Sequence, residues 1–369
     1  MNKNPFIYTT ENGREYLTAN CSLNKVIFAK LPVYGIEDSL EGMSVKDIFG
    51  AGIIIDEIKN SAGFLGINIS DYKEMDLPKI LDTKIDEGNQ EALRIARKYG
   101  NRLGMLLLVL KTGLHENRIV RVDWDDSHWE HWANIETVYL AGGLASGRLG
   151  EYMIEIVNEL FETANVTPYN IVRNTNGSEI GTKGCLKQLK DNNDVHILFD
   201  LGQTKIKRMI AVKQYDENGN SNDDSFNLIK IPSRKSINMS WENDDETEKI
   251  KQAQELHEYL VDSILDTYNE ALNYGNVGWE IVIGIASYVI DGKLNDVRSG
   301  YAKLCALSEN YAGYLASELE KRLNRAIMVQ LIHDGTAAGL YYAGAQNSVC
   351  ITAGTAFGVG FPEIKLEMN

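Results

Sequence analysis

The feature that most limits the fold of this chain is a hairpin pattern at residues 195–212. An apolar run, Ile197–Phe199, leads to Asp200 and to a turn that contains Gly202 and Thr204, and a second apolar run follows. Glycine lets a ligand approach the backbone closely, and turn amides that point outward bind anions. A neighbouring aspartate suits a Mg²⁺ ion that accompanies phosphate. The pattern predicts a hairpin for phosphate and metal, and an ordinary turn is the alternative.

Length and composition restrict the class of protein. The chain has 369 residues, more than one hydrophobic core usually serves, so we expect two domains. A formal net charge of −15 argues against a nucleic-acid partner or an anionic membrane surface. Four widely spaced cysteines without a CxxC pair argue against a zinc ribbon or a disulfide framework. With neither a membrane-length apolar run nor a signal-peptide core, the expected location is cytoplasmic.

Alternating apolar patterns predict an α/β architecture. Glycine-punctuated apolar pieces in Ala51–Ile69 predict short strands. Helical spacing over Asn89–Leu110 predicts a helix that ends at Gly113. Further strands are predicted at Ile135–Ala141, Trp279–Ala286, Ala326–Ile332 and Ser348–Thr352, and further helices at Glu151–Thr163, Lys249–Tyr274 and Tyr311–Asn324.

A tryptophan-rich segment, VDWDDSHWEHW, carries a candidate metal motif. His128 and His131 lie three residues apart, with Asp125 and Asp126 nearby. A His-x-x-His pair without a third placed ligand is more typical of packing or surface residues. Packing is therefore the preferred interpretation, and a metal site is the alternative.

Three glycine turns follow predicted strands and invite one explanation. Gly202 with Thr204, and Gly354 with Thr355, would form two phosphate-gripping hairpins that face each other. The pair Gly142-Gly143 lies between a strand and a helix, where a nucleoside can lie against the backbone. Glycines at such a corner also serve close packing, which is the alternative.

Asp334 follows a buried strand and precedes a small-residue helix, where a general base would be placed. Phosphoryl transfer needs clamped phosphates, a cation, and a carboxylate that accepts the proton of the attacking hydroxyl. Helix capping is the alternative role for Asp334. Lys205 and Lys207 alternate with apolar residues, as on the solvent face of a strand, although Lys205 could instead reach a phosphate.

Together these motifs resemble those of ROK-type sugar kinases (repressor, open reading frame, kinase) of the actin-like superfamily. LFDLGQTKIKRMIAV is similar to their phosphate-1 hairpin, and CITAGTAFGVGF to their phosphate-2 hairpin. HDGTAAGL resembles the segment with their catalytic aspartate, and TVYLAGGLASGRLGEYM their adenosine motif. The resemblance extends over about two-thirds of the chain.

The resemblance implies a kinase that uses ATP and Mg²⁺ to phosphorylate a hydroxyl of a sugar or polyol. It assigns the base to Asp334 and the metal to Asp200. The other implied contacts are Gly202, Gln203, Thr204, Lys205, Gly354, Thr355 and Ala356 for phosphate, Gly142, Gly143 and Leu144 for adenosine, and His333 and Gly335 for the acceptor. A homodimer is compatible with this class.

The motif order differs from that of the family, because the adenosine-like motif precedes phosphate 1 and phosphate 2 ends the chain. A circular permutation is the simplest account. The resemblance implies a two-domain ribonuclease-H-like α/β fold with an interdomain cleft, here circularly permuted. Residues 1–190 and 346–369 would form domain II, with 170–190 alternatively packing on domain I, and 191–345 would form domain I.

Two departures concern the acceptor. The family usually has asparagine where this chain has His333, and its sugar-contacting Glu-x-x-His element has no clear counterpart. A non-catalytic nucleotide or sugar sensor with the same fold therefore stays open, as does an actin-like ATPase.

Overall fold

The computed structural model describes residues 3–176, 179–190, 193–215, 226–240, 245–295 and 300–366. The strands are β1 (Ile7–Thr9), β2 (Glu15–Leu17), β3 (Thr137–Ala141), β4 (Asn170–Arg173), β5 (Val195–Leu201), β6 (Lys205–Lys213), β7 (Phe226–Lys235), β8 (Glu280–Ile285), β9 (Val289–Ile290), β10 (Lys293–Leu294), β11 (Met328–His333), β12 (Ser348–Ala353) and β13 (Phe357–Gly360).

The α-helices are α1 (Val45–Ile48), α2 (Ala51–Asn60), α3 (Ala62–Leu65), α4 (Leu77–Asp86), α5 (Gln90–Thr112), α6 (His115–Val120), α7 (Asp126–Asn134), α8 (Arg148–Thr163), α9 (Ile180–Leu186), α10 (Glu246–Ala271), α11 (Tyr311–Leu323) and α12 (Asp334–Leu340). Short 3₁₀ turns lie at Ala19–Cys21, Leu23–Lys25, Asp38–Leu40, Ile69–Asp71, Glu74–Asp76, Leu272–Tyr274 and Gly300–Ala306. The protein is thus a mixed α/β structure.

The chain divides into two compact units, each built from several segments. Unit 1 comprises Met1–Ile7, Asn20–Ser178 and Gly344–Pro362, and unit 2 comprises Tyr8–Ala19, Glu179–Ala343 and Glu363–Asn369. Residues 8–19 and 363–369, which the sequence analysis assigned to domain II, group with unit 2.

The sheet of unit 2 has the strand order β11-β8-β5-β6-β7. β5, β8 and β11 run parallel, while β6 pairs antiparallel with both β5 and β7. Alternate residues of the buried strand β5 face opposite sides of the sheet, as strand geometry requires. Ile197 and Phe199 pack in one core cluster with residues of α10 and α11. Leu198 packs in the other with Cys185 of α9 and Ala337 of α12, and Asp200 shares its side.

The sheet of unit 1 has the order β13-β12-β3-β4. β12 and β13 form an antiparallel hairpin, and β3 and β4 continue the sheet in parallel. The segment β6-β5-β8-β11 of unit 2 has the same sequence of antiparallel and parallel pairings. In unit 1, however, the hairpin comes from the end of the chain and the parallel strands from its first half.

Glycines bring the two longest helices of unit 1 together. A Cβ on Gly100 of α5 would lie 2.7 Å from the Cβ of Ile156 on α8, so only glycine permits this approach. Helix α5 begins at the predicted place, where the Asn89 side chain accepts hydrogen bonds from two backbone amides. It ends before Gly113, which has φ +50°, so the helix predicted over Asn89–Leu110 is confirmed.

The predicted strands in Ala51–Ile69 are wrong, because this segment forms helices α2 and α3. Ile54 and Ile58 are the buried residues of α2, and their i, i+4 spacing is helical. Of the glycines that suggested strand ends, Gly52 lies in the first turn of α2 and Gly66 ends α3 in a left-handed conformation.

The other predicted strands and helices are confirmed with small boundary changes, as β3, β8, β11, β12, α8, α10 and α11. None of the helices in the described part of the chain combines the length and apolarity that a bilayer crossing demands.

Candidate functional site

Three parallel strands of unit 2 end at the same edge of their sheet. Leu201 of β5 lies opposite Ile285 of β8, which in turn lies opposite His333 of β11. Gly202, after β5, and Asp334, after β11, therefore leave the sheet at the same edge, with the end of β8 between them. Ligands of parallel sheets commonly bind at this edge.

Hydrogen bonds anchor the carbonyl groups of the turn after β5. The carbonyl oxygen of Gly202 accepts from the hydroxyl of Ser236 at 2.7 Å and from the hydroxyl of Tyr301 at 3.0 Å. The backbone N–H of Ser236 donates to the carbonyl of Thr204 at 3.1 Å. The carbonyl oxygens of Gly202 and Thr204 are thereby satisfied by the protein.

The amides of the turn are open. The backbone N–H groups of Gln203 and Thr204 donate no hydrogen bond to any described residue, whereas that of Gly202 donates to Lys205. The Gln203 side chain donates to the carbonyl of Ala286 at 3.2 Å, which ties the turn to the end of β8. The side-chain ammonium of Lys205 has no hydrogen-bond or ion-pair partner among the described residues. Two adjacent unpaired amides can bind an anion.

Asp200 lies one residue before the end of β5 and is only 8% exposed. Lys207 occupies the register position opposite it on β6, and its Nζ lies 2.7 Å from Asp200 Oδ2. The negative charge of Asp200 raises the pKa of Lys207 against the opposing effect of burial. Lys207 therefore does not lie on a free solvent face, as the alternation of the strand predicted. Asp200 Oδ1 accepts no hydrogen bond from the described residues.

Asp334 is the first residue of α12, and its side chain keeps 36% exposure. Oδ1 accepts the backbone N–H of Gly335 at 2.7 Å, while Oδ2 has no partner among the described residues. Burial, and secondarily the negative charge of Asp200, raise the pKa of Asp334 to about 7, and Lys207 acts against them. A carboxyl with such a pKa exchanges a proton near neutral pH.

The helix cap at this site is His333 and not Asp334, so the capping alternative for Asp334 is wrong. Nδ1 of His333 accepts the backbone N–H of Thr336 at 3.3 Å. Its Nε2 lies 3.3 Å from Asp334 Oδ1, and Tyr288 stacks on the ring at 4.3 Å. The two residues predicted to contact the acceptor, His333 and Gly335, thus both direct a polar group at Asp334.

The donor set fits Mg²⁺ bound together with a nucleotide. No group of three His, Cys, Asp or Glu side chains that could hold a metal occurs among the described residues. Mg²⁺ is usually held by one or two carboxylates, with substrate phosphates and waters completing its shell. Asp200 Oδ1 accepts no hydrogen bond from any residue that the structure describes, so Asp200 suits this arrangement.

In unit 1, the turn between β12 and β13 resembles the first turn in its open amides. The carbonyl of Gly354 accepts the N–H of Ala51 at 2.9 Å, and its N–H donates to the carbonyl of Ala356 at 3.3 Å. The N–H groups of Thr355 and Ala356 find no acceptor within the described ranges. Gly50 supports the turn closely, since a Cβ there would lie 2.6 Å from the carbonyl oxygen of Thr355.

The Gly142-Gly143 turn follows β3, beside β12. Gly142 has φ +99°, and a Cβ there would lie 2.3 Å from the carbonyl oxygen of Ala353, so packing alone requires this glycine. A Cβ on Gly143 would meet no atom within 4 Å, so packing does not require the second. Leu144 is buried in the core.

The N-terminus of α8, after this turn, already has an anionic partner. Oδ1 of Asp82 on α4 accepts the N–H of Leu149 at 2.7 Å. A Cβ on Gly147 would lie 1.9 Å from Asp82 Oδ2, so the carboxylate sits against the helix end. The carboxylate of Asp82 therefore occupies the N-terminus of α8, where a phosphate would otherwise bind. The Gly142-Gly143 turn before this helix remains accessible at Gly143.

The metal interpretation of the tryptophan-rich segment is wrong. Nδ1 of His128 lies 2.8 Å from Asp125 Oδ1, and its Nε2 lies 2.9 Å from the amide of Asn20. Burial lowers the pKa of His131 to about 4, and its ring packs against Phe6 and Phe361. Both histidines belong to an aromatic cluster of unit 1.

Sequence reasoning missed several side chains of the unit 2 site. Ser236 and Tyr301 lie 34 and 99 residues from Gly202, to which they donate, and Tyr288 is likewise distant in sequence from His333. No local motif marks any of the three. Lys207 had a usable signal, because strand pairing across a short turn places residues 200 and 207 opposite each other.

Comparison with protein-family models finds no match for this chain, and comparison with curated protein sequences finds none either.

Proposed function

We propose that this protein is an ATP- and Mg²⁺-dependent phosphotransferase that acts on a hydroxyl group of a sugar or polyol, with Asp334 as general base. The observation that carries the proposal is the sheet edge of unit 2. There a carboxyl with a pKa of about 7 follows one strand, and a turn with two open amides follows another, beside the Asp200–Lys207 pair.

The proposed chemistry assigns one task to each group. Asp334 Oδ2 accepts the proton of the attacking hydroxyl, and a pKa near the working pH suits this task. The amides of Gln203 and Thr204 bind phosphate oxygens, and Lys207 supplies positive charge near them. A Mg²⁺ ion bound with the nucleotide would neutralise phosphate charge, and Asp200 is the residue that would hold it.

The turns of unit 1 are proposed as further nucleotide contacts. Thr355 and Ala356 offer open amides for phosphate, as Gln203 and Thr204 do in unit 2. Gly142 and Gly143 leave backbone exposed on which a nucleoside can lie, with Leu144 beneath in the core. Each turn can be tested by substitution within its own unit.

For the fold we propose the circularly permuted ribonuclease-H-like architecture of actin-like and ROK-type sugar kinases. Two sheets share the order of an antiparallel hairpin followed by two parallel strands, which supports a duplicated fold. In each sheet the turn of the hairpin carries a glycine and a threonine. The sheet of unit 1 combines β3 and β4, from the first half of the chain, with β12 and β13, which follow the strands of unit 2 in sequence, and this supports permutation.

The test is Mg²⁺-dependent ATP consumption with a panel of hexoses, amino sugars and polyols. Asp334→Asn should lower kcat by about 10²–10⁴-fold, the range that a lost general base costs. Asp56→Asn, on an exposed face of α2, is the matched control and should leave turnover unchanged. Undiminished turnover in Asp334→Asn would remove Asp334 from the proposed role.

A second candidate is a nucleotide sensor that does not transfer phosphate, or an ATPase without an acceptor. It is favoured by the position of the two residues predicted to contact the acceptor: the N–H of Gly335 already donates to Asp334, and Nε2 of His333 lies 3.3 Å from the same carboxylate. Calorimetry with Mg-ATP separates the cases. Binding without acceptor-stimulated turnover supports this second candidate, and acceptor-stimulated turnover supports the kinase.

A further inference from the structure

The imidazole of His333 has a different neighbour on each nitrogen and an aromatic ring on its face. Nδ1 accepts the N–H of Thr336, and Nε2 lies 3.3 Å from Asp334 Oδ1. The ring of Tyr288 stacks on it at 4.3 Å with an interplanar angle of 9°. The helix end and the stacked ring together hold the imidazole in one orientation.

These contacts determine the tautomer. A nitrogen that accepts a hydrogen bond carries no proton, and a neutral imidazole has its single proton on the other nitrogen. Burial lowers the pKa of His333 to about 3, so the ring is neutral throughout the physiological range. The proton is therefore on Nε2, and the N–H of this nitrogen lies beside the carboxylate of Asp334.

We propose that His333 is a positioning residue for Asp334 and not a ligand of the acceptor. Its Nε2–H and the N–H of Gly335 both approach Oδ1, which fixes the rotation of the carboxylate and leaves Oδ2 as the oxygen that takes the proton. This inference rests on the proposed function only where it treats Asp334 as the general base. The contact between His333 and Asp334 does not depend on any activity.

Other charges also act on Asp334, and a test must hold them constant. Asp200 on β5 and Lys207 on β6 are the charged groups that act on its carboxyl. The phenol of Tyr301 lies close enough for Asp334 to influence its pKa. The variants below change none of these residues, so a change in the titration of Asp334 reports on His333.

A purely structural role as helix cap is the competing explanation, and three variants separate the two. His333→Ser keeps a capping oxygen, but its side chain ends where the imidazole ring begins and cannot reach Asp334. His333→Asn keeps the cap and adds an amide N–H that can donate toward the carboxylate. His333→Ala lacks both the cap and the donor.

The kinetic expectation follows from lost orientation. In His333→Ser, kcat should fall about 10–100-fold with the KM for ATP unchanged, because a misplaced base slows the chemical step. The midpoint of the pH profile of kcat/KM should rise, since a donor to the ionised form is gone. In His333→Asn, both kcat and the midpoint of the pH profile should return part of the way to the values of the parent protein. His333→Ala alone should also have a clearly lower melting temperature.

A spectroscopic readout keeps this test independent of catalysis. The chain has six histidines, so two-bond ¹⁵N–¹H correlation spectra of the protein and of His333→Asn identify the His333 signals and their tautomer. Titration of the ¹³C-labelled aspartate carboxyls, assigned with Asp334→Asn, gives the pKa of Asp334 in each variant. An Nε2–H tautomer and a higher Asp334 pKa in His333→Ser are the expected results.

The outcomes distinguish this inference from the proposed function. An Nδ1–H tautomer, or a serine variant with unchanged kcat and unchanged Asp334 pKa, would overturn the positioning role while the kinase proposal stands. If the protein transfers no phosphate but shows the expected tautomer and titration, the positioning contact is supported and the kinase proposal fails.

Discussion

Replacing Asp334 by asparagine should make the protein more stable above neutral pH. The carboxyl has a pKa of about 7 in the folded protein, against an ordinary value of 3.8. As pH rises between these values, the unfolded chain loses this proton while the folded protein keeps it. The folded state then binds more protons, so its stability falls as pH rises through this window. Asparagine does not ionise, so the variant escapes this loss.

The size of the effect follows from the same two values. One pH unit of difference corresponds to 1.36 kcal/mol, so the ceiling is roughly 4 kcal/mol. Because the side chain is 36% exposed, solvent screening reduces this figure, and we expect a gain of about 1–2 kcal/mol at pH 8. Asparagine can still accept the N–H of Gly335, so no hydrogen bond is lost in exchange.

The assay is urea unfolding of both proteins, without metal or nucleotide, at pH 5, 6.5 and 8. The difference in unfolding free energy should grow from the first pH to the last. Asp56→Asn removes one negative charge from an exposed helix face and controls for the net charge of −15. A variant that is no more stable than the parent at pH 8, or a gain of equal size at all three pH values, would refute the assignment of the raised pKa.

Three further substitutions test the site. Lys207→Met should move the midpoint of the pH profile upward and weaken ATP binding by about 10-fold, measured by calorimetry, because it removes the cation that lowers the pKa of the base. Gly142→Ala should cost more than about 3 kcal/mol in urea unfolding, since it combines positive φ with a contact at 2.3 Å, whereas Gly143→Ala should be near neutral. Ser236→Ala should cost about 1 kcal/mol and weaken nucleotide binding, because the carbonyl of Gly202 loses a donor.

Strands flanked by turn residues could be predicted from the sequence because their signals are local. The hairpin of residues 195–212 needed only apolar alternation and a glycine turn, and β5 and β6 formed there. The helix from Asn89 carried its own cap and its own glycine stop. The prediction failed in Ala51–Ile69, where the spacing of the apolar residues fits a strand as well as a helix. Helix α2 begins after Gly50, whose backbone packs against Thr355, a contact that the local sequence does not reveal.

The chemistry of the site was less predictable than its backbone. The position of Asp334 at a strand end could be read from the sequence, but its raised pKa depends on burial and on Asp200, which is 134 residues away. The role of His333 was hidden in the same way. In the sequence, His333 was interpreted as a contact of the acceptor because it precedes Asp334. The structure places its Nδ1 at the N–H of Thr336 and its Nε2 near Asp334.

Stability alone does not explain the charged groups at the sheet edge of unit 2. The negative charge of Asp200 disfavours ionisation of Asp334, and Lys207, the cation that acts on Asp334 within the described ranges, pairs with Asp200. His333 already caps α12, so a purely structural role at the first position of this helix would be met better by an uncharged residue than by Asp334. Raised carboxyl pKa values at an open sheet edge are typical of sites where protons are exchanged with a ligand. If Asp334→Asn is more stable and turns over more slowly than the parent, proton exchange with a ligand is supported. If Asp334→Asn is more stable but the parent protein shows no turnover, ligand binding is the only role left for the site.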